Sequence, residues 1–177
     1  HIDDSIANTR ATGAVLGGML GGPSVGFLVG LTGGLHRYSM GGMTALACML
    51  STIAEGLLGG LLHRYLARRN RIDLLFQPLV VGLTALVAEI LQMAIILLVA
   101  RPFDNAVELV RDIALPMMIT NTIGAAMFMR ILLDRRAIFE KYTSAFSAKA
   151  LQIAARAEGA LRQGFNPQTR MRGARML

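Results

Sequence analysis

The sequence predicts an all-α fold: a polytopic transmembrane helical bundle with a glycine-broken, re-entrant helical hairpin and a C-terminal cytoplasmic helix. Three observations predict it. Of 177 residues, 54% are hydrophobic and 16% charged, with a mean hydropathy of +0.51, whereas soluble domains carry roughly 25% charged residues. Between Gly42 and Leu62 the only ionisable groups are Cys48 and Glu55, and between Phe76 and Ala100 the only one is Glu89. Runs of this length match the roughly 20 apolar residues that cross a bilayer core. Finally, the basic residues cluster just past the hydrophobic ends, which is a pattern of membrane orientation.

The first apolar element, 11–35, is interrupted midway by Gly21-Gly22-Pro23. Each half, as a helix, is only about half a bilayer long. Either the element is one broken span or it enters and leaves on the outer side. The second is expected, because it keeps Arg10 and Arg37 on one face. Non-helical backbone at that depth must be covered by protein or line a water-filled cavity. Gly13, Gly17 and Gly21 are four residues apart, as are Gly18, Gly22, Gly26, Gly30 and Gly34, and Gly56 with Gly60. Small residues at this spacing let helices approach closely in lipid, and the same segment is a candidate pocket wall.

Three continuous spans follow, over about 43–62, 76–100 and 113–133. The basic ends at 63–71 and 130–141 hold eight Lys and Arg residues. The opposite ends hold four (Arg10, Arg37, Arg101, Arg111), mixed with Asp3, Asp4, Asp104, Glu108 and Asp112. The positive-inside rule therefore places 63–75 and everything after 134 in the cytoplasm, with 36–42 and 101–112 outside. Beyond the last span, Phe139, Tyr142, Phe146, Ala150, Ile153, Ala157 and Leu161 recur at spacings of three and four. This eleven-residue period fits a nearly straight helix pair, as in a dimeric signalling helix. A helix lying against another domain of the same chain is the plainer alternative. Gly164 and Asn166-Pro167 mark its end.

The net charge of +7 does not point to nucleic acid, because few aromatics accompany the basic residues. A single cysteine, Cys48, excludes an internal disulfide. No phosphate loop, metal-ligand spacing or nucleophile beside a base is present, so neither a catalytic residue nor a metal site is expected. The chain opens on His1 rather than Met, and a fragment is expected.

The informative polar groups lie toward the outer face. Gly33 to Gly42 reads as a glycine-flanked turn presenting Arg37, and Arg10 opens the broken element. Cys48 and Ser51 lie three apart on one helix face, extended one turn by Glu55. Two guanidinium groups converging at a partly dehydrated mouth suit a small carboxylate, with Ser51 and Cys48 placed to address a second polar group. Headgroup anchoring for the arginines and helix packing for Cys48 and Ser51 are the plainer readings. Glu55, Glu89 and Gln92 are intramembrane polar groups, which usually face the protein interior and mark function. For Glu89 a packing role, bonded to Thr120, Asn121 or Thr122, is expected ahead of a proton or ion path.

Three stretches carry a resemblance: the opening HIDDSIANTR (1–10), GGLHRYSMGGMTAL (33–46) and MRILLDRRAIFEKYTSAFSA (129–148). They resemble the LytS-type sensor histidine kinases of two-component systems, and the likeness covers essentially the whole chain. It implies a multi-span sensor domain, a GAF domain, and a kinase domain with a phosphoacceptor histidine and an ATP site. That kinase would phosphorylate a LytTR-type response regulator. On this basis 1–136 is part of the transmembrane sensor domain, 137–163 the connecting helix and 164–177 the start of a truncated GAF domain. A bacterial inner-membrane location and a homodimer are implied. No cofactor is expected in this chain, since ATP belongs to the kinase domain. In the pyruvate-sensing branch of the family the implied ligand is external pyruvate. The positions implied for binding correspond to Arg10, Arg37, Cys48 and Ser51, while no such role extends to Glu55 or Glu89. The expected function is therefore a receptor module for a small carboxylate that biases an output helix. A transport or substrate-capture subunit, suggested by the broken helix, is the alternative from another class, and a ligand-free anchoring module is a third.

Overall fold

A computed structural model describes residues 9–164. Among them the elements are α1 (Arg10–Ser39), α2 (Ala45–Arg68), a 3₁₀ turn (Ile72–Phe76), α3 (Pro78–Val99) and α4 (Phe103–Gly164), with no strand. All four helices contain a stretch long and apolar enough to cross a membrane. The chain divides into two compact units, the first ending at Leu132 and the second beginning at Leu133.

In the first unit, α1 is two helical arms joined at a break. Gly22 has φ 82° and ψ −175°, a left-handed backbone that glycine adopts without steric penalty, and Pro23 follows. Residues 17 and 29 would be roughly 18 Å apart in a straight helix. Instead, a Cβ added at Gly17 would lie 3.1 Å from Val29 Cγ2, and one at Gly26 would lie 2.8 Å from Gly18 Cα. The arms lie side by side, which brings Arg10 and the 37–39 end of α1 to the same end of the unit. Pro23 has no N–H to give the carbonyl of Met19, its partner four residues back. His63 of α2 supplies the missing donor, with Nδ1 2.7 Å from Met19 O. Because a carbonyl only accepts, that nitrogen carries the proton.

α2 packs against both arms at backbone distance. A Cβ at Gly18 or at Gly26 would run into the carbonyl oxygen of Gly56. One at Gly30 would sit 2.6 Å from Thr52 O, one at Gly34 2.9 Å from Met49 O, and one at Gly60 would meet Pro23. The four-residue glycine spacing is therefore a helix-packing device. Lipid removes the hydrophobic drive between helices, leaving close van der Waals contact to hold them.

The element boundaries differ from the sequence expectation in three places. α1 stays helical through Ser39, so the turn expected over 33–42 shrinks to 40–44, where Gly41 and Gly42 have φ 75° and 93°. α2 continues past Leu62 to Arg68, since Leu66 is buried and rewards a longer helix. α4 starts at Phe103 rather than near 113. Asp104 in its first turn suits the positive end of the helix dipole, and buried Ala106 gives that turn a packing contact.

The interior has two apolar layers. One joins Val15, Leu16 and Met19 of α1 to Leu66, Leu75, Val81, Ala85, Ala88, Ala125 and Met129. The other joins Ala47 and Cys48 to Met93, Ile96, Ala100, Ala106 and Met117. Along α2, α3 and α4 the residues between these layers are polar. In the second unit the side chains of Phe139, Tyr142, Phe146 and Ile153 are exposed, and Arg136 pairs with Glu140 at 2.8 Å. An exposed pair at this spacing contributes only about 0.3–0.5 kcal/mol. The expected GAF start lies, after Gly164, outside the described residues, as does the 1–8 stretch.

The glycine contacts make a differential prediction. Gly26→Ala should destabilise the fold by about 1–3 kcal/mol through forced separation from α2. Gly13→Ala, where a Cβ meets nothing within 4 Å, should be neutral or stabilise by up to about 1 kcal/mol. Thermal unfolding of the two variants in detergent compares them directly.

Candidate ligand site

The polar layer takes one turn or so from each helix. From α2 come Ser51, Thr52 and Glu55, from α3 Glu89 and Gln92, and from α4 Asn121, all buried. A chain of hydrogen bonds ties three elements together. Thr12 Oγ1 of α1 donates to Asn121 Oδ1 at 3.2 Å, and Asn121 Nδ2 donates to Glu89 Oε1 at 2.6 Å. Of the three partners the sequence offered Glu89, the structure uses Asn121.

On α2, Cys48, Ser51, Thr52 and Glu55 share one face, as i, i+3, i+4 and i+7 spacing requires. Ser51 Oγ donates to Cys48 O at 3.1 Å and Thr52 Oγ1 to the same carbonyl at 2.7 Å. Ser51 and Glu55 are each 0% exposed. Neither carboxylate oxygen of Glu55 has a hydrogen-bond partner among the described residues, nor does Glu89 Oε2 or Thr122 Oγ1. Half-buried Arg10 lies within electrostatic reach of Cys48, Arg37 and Glu55. Glu55 in turn is within reach of Glu89 and Arg10.

Arg37 is 3% exposed, more enclosed than the partly dehydrated mouth expected of it. Its Nη1 donates to Gly41 O at 2.5 Å and its Nη2 to Thr44 Oγ1 at 3.1 Å. The guanidinium thus closes the turn between α1 and α2, because that short turn leaves a carbonyl and a hydroxyl facing inward. Thr44 and Thr12 are the polar partners that sequence reading did not single out. Both are isolated hydroxyls within Gly- and Ala-rich runs, and no spacing rule marks them.

A groove of about 510 Å³ runs beside this layer rather than through it, between the first arm of α1 and α4. Thr12 and Asn121 line one part, and Leu16, Leu20 and Phe128 another. None of Arg10, Arg37, Cys48 or Ser51 lines it. Among the described residues no group of acidic, histidine or cysteine side chains is arranged to hold a metal ion.

Fold and polar layer together define a multi-pass helical membrane domain with a buried charged interior. A family model described as the 5TMR of 5TMR-LYT matches residues 1–135, and the chain belongs to that family. It is 69% identical to the Sensor histidine kinase BtsS of Escherichia coli (strain K12) over 177 residues, all of this chain and 32% of the relative. The Sensor protein LytS of Bacillus subtilis (strain 168) is 43% identical over 165 residues, 92% of this chain and 27% of that one. The Sensor histidine kinase/phosphatase LytS of Staphylococcus aureus (strain Mu50) is 32% identical over 167 residues, 94% of this chain and 28% of that one. The chain spans about a third of the length of these curated relatives. No solved structure gives a significant match. The chain is thus a membrane sensor domain of the kind carried by sensor histidine kinases of the BtsS and LytS type.

The Asn121–Glu89 bond is testable by itself. Asn121→Ala leaves a buried carboxyl without its donor and should destabilise by about 1–3 kcal/mol. In a double-mutant cycle with Glu89→Ala, the second substitution should recover part of that loss. Chemical unfolding of the four variants in one detergent provides the cycle.

Proposed function

We propose that this domain binds pyruvate, a small keto carboxylate, at the outer side of a bacterial inner membrane. In this reading it biases a dimeric output helix toward one of two states. The positive-inside rule supports the orientation, since the end bearing Arg64, Arg68, Arg69 and Arg71 faces the cytoplasm. The Gly22 tip of the α1 hairpin then points inward, and both arm ends face out.

One observation carries the reading. The side-by-side arms of α1 bring Arg10 and Arg37 to the end of the unit where α2 begins, with Arg37 bonded to Thr44 one turn before Cys48. Arg10 and Arg37 would hold the carboxylate, for which a guanidinium is the fitting partner, while Ser51 and Cys48 would address the keto oxygen. Arg37 is already bonded to Gly41 and Thr44. A ligand that draws both Nη atoms away would therefore loosen the 40–44 turn. Binding shifts a conformational equilibrium only through such a difference between two states.

In the whole protein the reading assigns the response to a kinase domain that uses ATP and a LytTR-type response regulator as its target. Calorimetry with pyruvate on the protein in lipid nanodiscs tests the ligand. Arg37→Ala should weaken binding by about 100-fold, from the loss of charge-assisted bonds in a dehydrated site. Unchanged affinity would remove Arg37 from the site. Pyruvate accumulation in proteoliposomes would identify transport instead.

A further inference from the structure

Glu55 has no task in that reading, yet it occupies the costliest position in the layer. It sits one turn below Ser51 on the same α2 face, is 0% exposed, and among the described residues has no hydrogen-bond donor on either oxygen. An ionised carboxylate so placed is destabilising unless a charge compensates it. The charged groups in its reach are Arg10 from α1 and Glu89 from α3. α4 turns the amide of Asn121 toward Glu89 rather than toward Glu55. On its own helix the neighbours are Ser51 and Cys48, whose polar contacts run along α2.

We propose that Glu55 is the proton-binding residue of the ligand site, so that a small monocarboxylate enters together with one proton. The inference rests on the ligand reading above. The charge count explains the coupling. With the site empty, Arg10 is the cation in reach that favours a negative charge on Glu55, against burial and the neighbouring Glu89. A ligand carboxylate that bonds to Arg10 takes over that compensation and adds a negative charge beside Glu55 and Glu89. The ionised form of Glu55 is then left without a donor and without a counter-charge. One proton from solvent onto a Glu55 oxygen relieves both, with no other bond made or broken. The ligand anion and the Glu55 anion thus exclude each other, and ligand binding and proton binding favour each other by linkage.

The sign follows directly. Affinity is fullest at low pH and falls as pH rises through the range where Glu55 ionises, approaching about tenfold per pH unit for one coupled proton.

The test is calorimetry of pyruvate binding to the intact protein in nanodiscs, from about pH 5 to about pH 9, in buffers of different ionisation heat. The wild type is expected to take up about one proton per pyruvate on the high-pH side. Glu55→Gln, which imitates the protonated acid, should bind with no proton uptake and a flat pH profile. Equal uptake in wild type and Glu55→Gln, or binding by the wild type with no uptake at any pH, overturns the inference and leaves the ligand reading intact. Absence of pyruvate binding to the wild type overturns both. If Glu55→Gln does not fold, Glu55→Asp replaces it. A displaced pH midpoint is then expected, and an unchanged one counts against Glu55.

Discussion

The backbone contact among Gly18, Gly26 and Gly56 is the constraint from which the rest of the bundle follows. Three helical segments meet there with no side chain between them, and a single methyl group would collide with a carbonyl. Such an approach requires the chain to double back within α1, which the left-handed Gly22 and the ring of Pro23 accomplish. The reversal frees the Met19 carbonyl, and His63 repairs it. Hairpin, break and repair form one unit, because removing any of them leaves a buried backbone group unbonded or two backbones apart. The same reversal returns Arg37 to the end of the bundle where Arg10 begins.

Sandwiching polar residues between two apolar layers has an energetic consequence. Apolar side chains of similar volume would fill the space between Cys48 and Leu66 more cheaply. Instead Ser51, Glu55, Glu89, Gln92 and Asn121 are buried there, and only part of their hydrogen-bonding capacity is used. The Thr12–Asn121–Glu89 chain spans α1, α4 and α3 and accounts for one carboxyl oxygen. Glu55 remains as a net liability to the empty fold. Intramembrane acids kept at such a cost are generally associated with ligand or proton traffic.

Much of this architecture is legible in the sequence. Long runs with one acidic residue each mark α2 and α3, and the 76–100 run ends within two residues of the α3 termini, whereas α2 continues past Leu62 to Arg68. The glycine spacing identifies the tight packing, since only small residues every four positions line a helix face. The start of α4 is hidden: Asp104, Glu108, Arg111 and Asp112 suggest a polar connection, yet they are compatible with a helix whose charges are solvated. Among the site residues, the shared face of Cys48, Ser51 and Glu55 follows from helical periodicity alone. The bonding of Arg37 to Gly41 and Thr44 does not, because it depends on the left-handed turn at 41–42 and on which carbonyl that turn directs inward. Thr12 is likewise invisible, since its partner lies 109 residues away.

The engagement of Arg37 bears on how a sensor of this construction discriminates and responds. Its two bonds to the turn use one hydrogen on each Nη and leave Nε–H and the other two hydrogens to be satisfied elsewhere. Under the proposed reading a carboxylate that drew both Nη atoms away would forfeit those bonds, and its apparent affinity would fall with the fraction of molecules in which Arg37 has turned. Under the proposed reading that loss would separate the empty from the occupied state. The placing of Arg37 over the turn therefore rests on the same close helix contact that Gly30 and Gly34 make with α2.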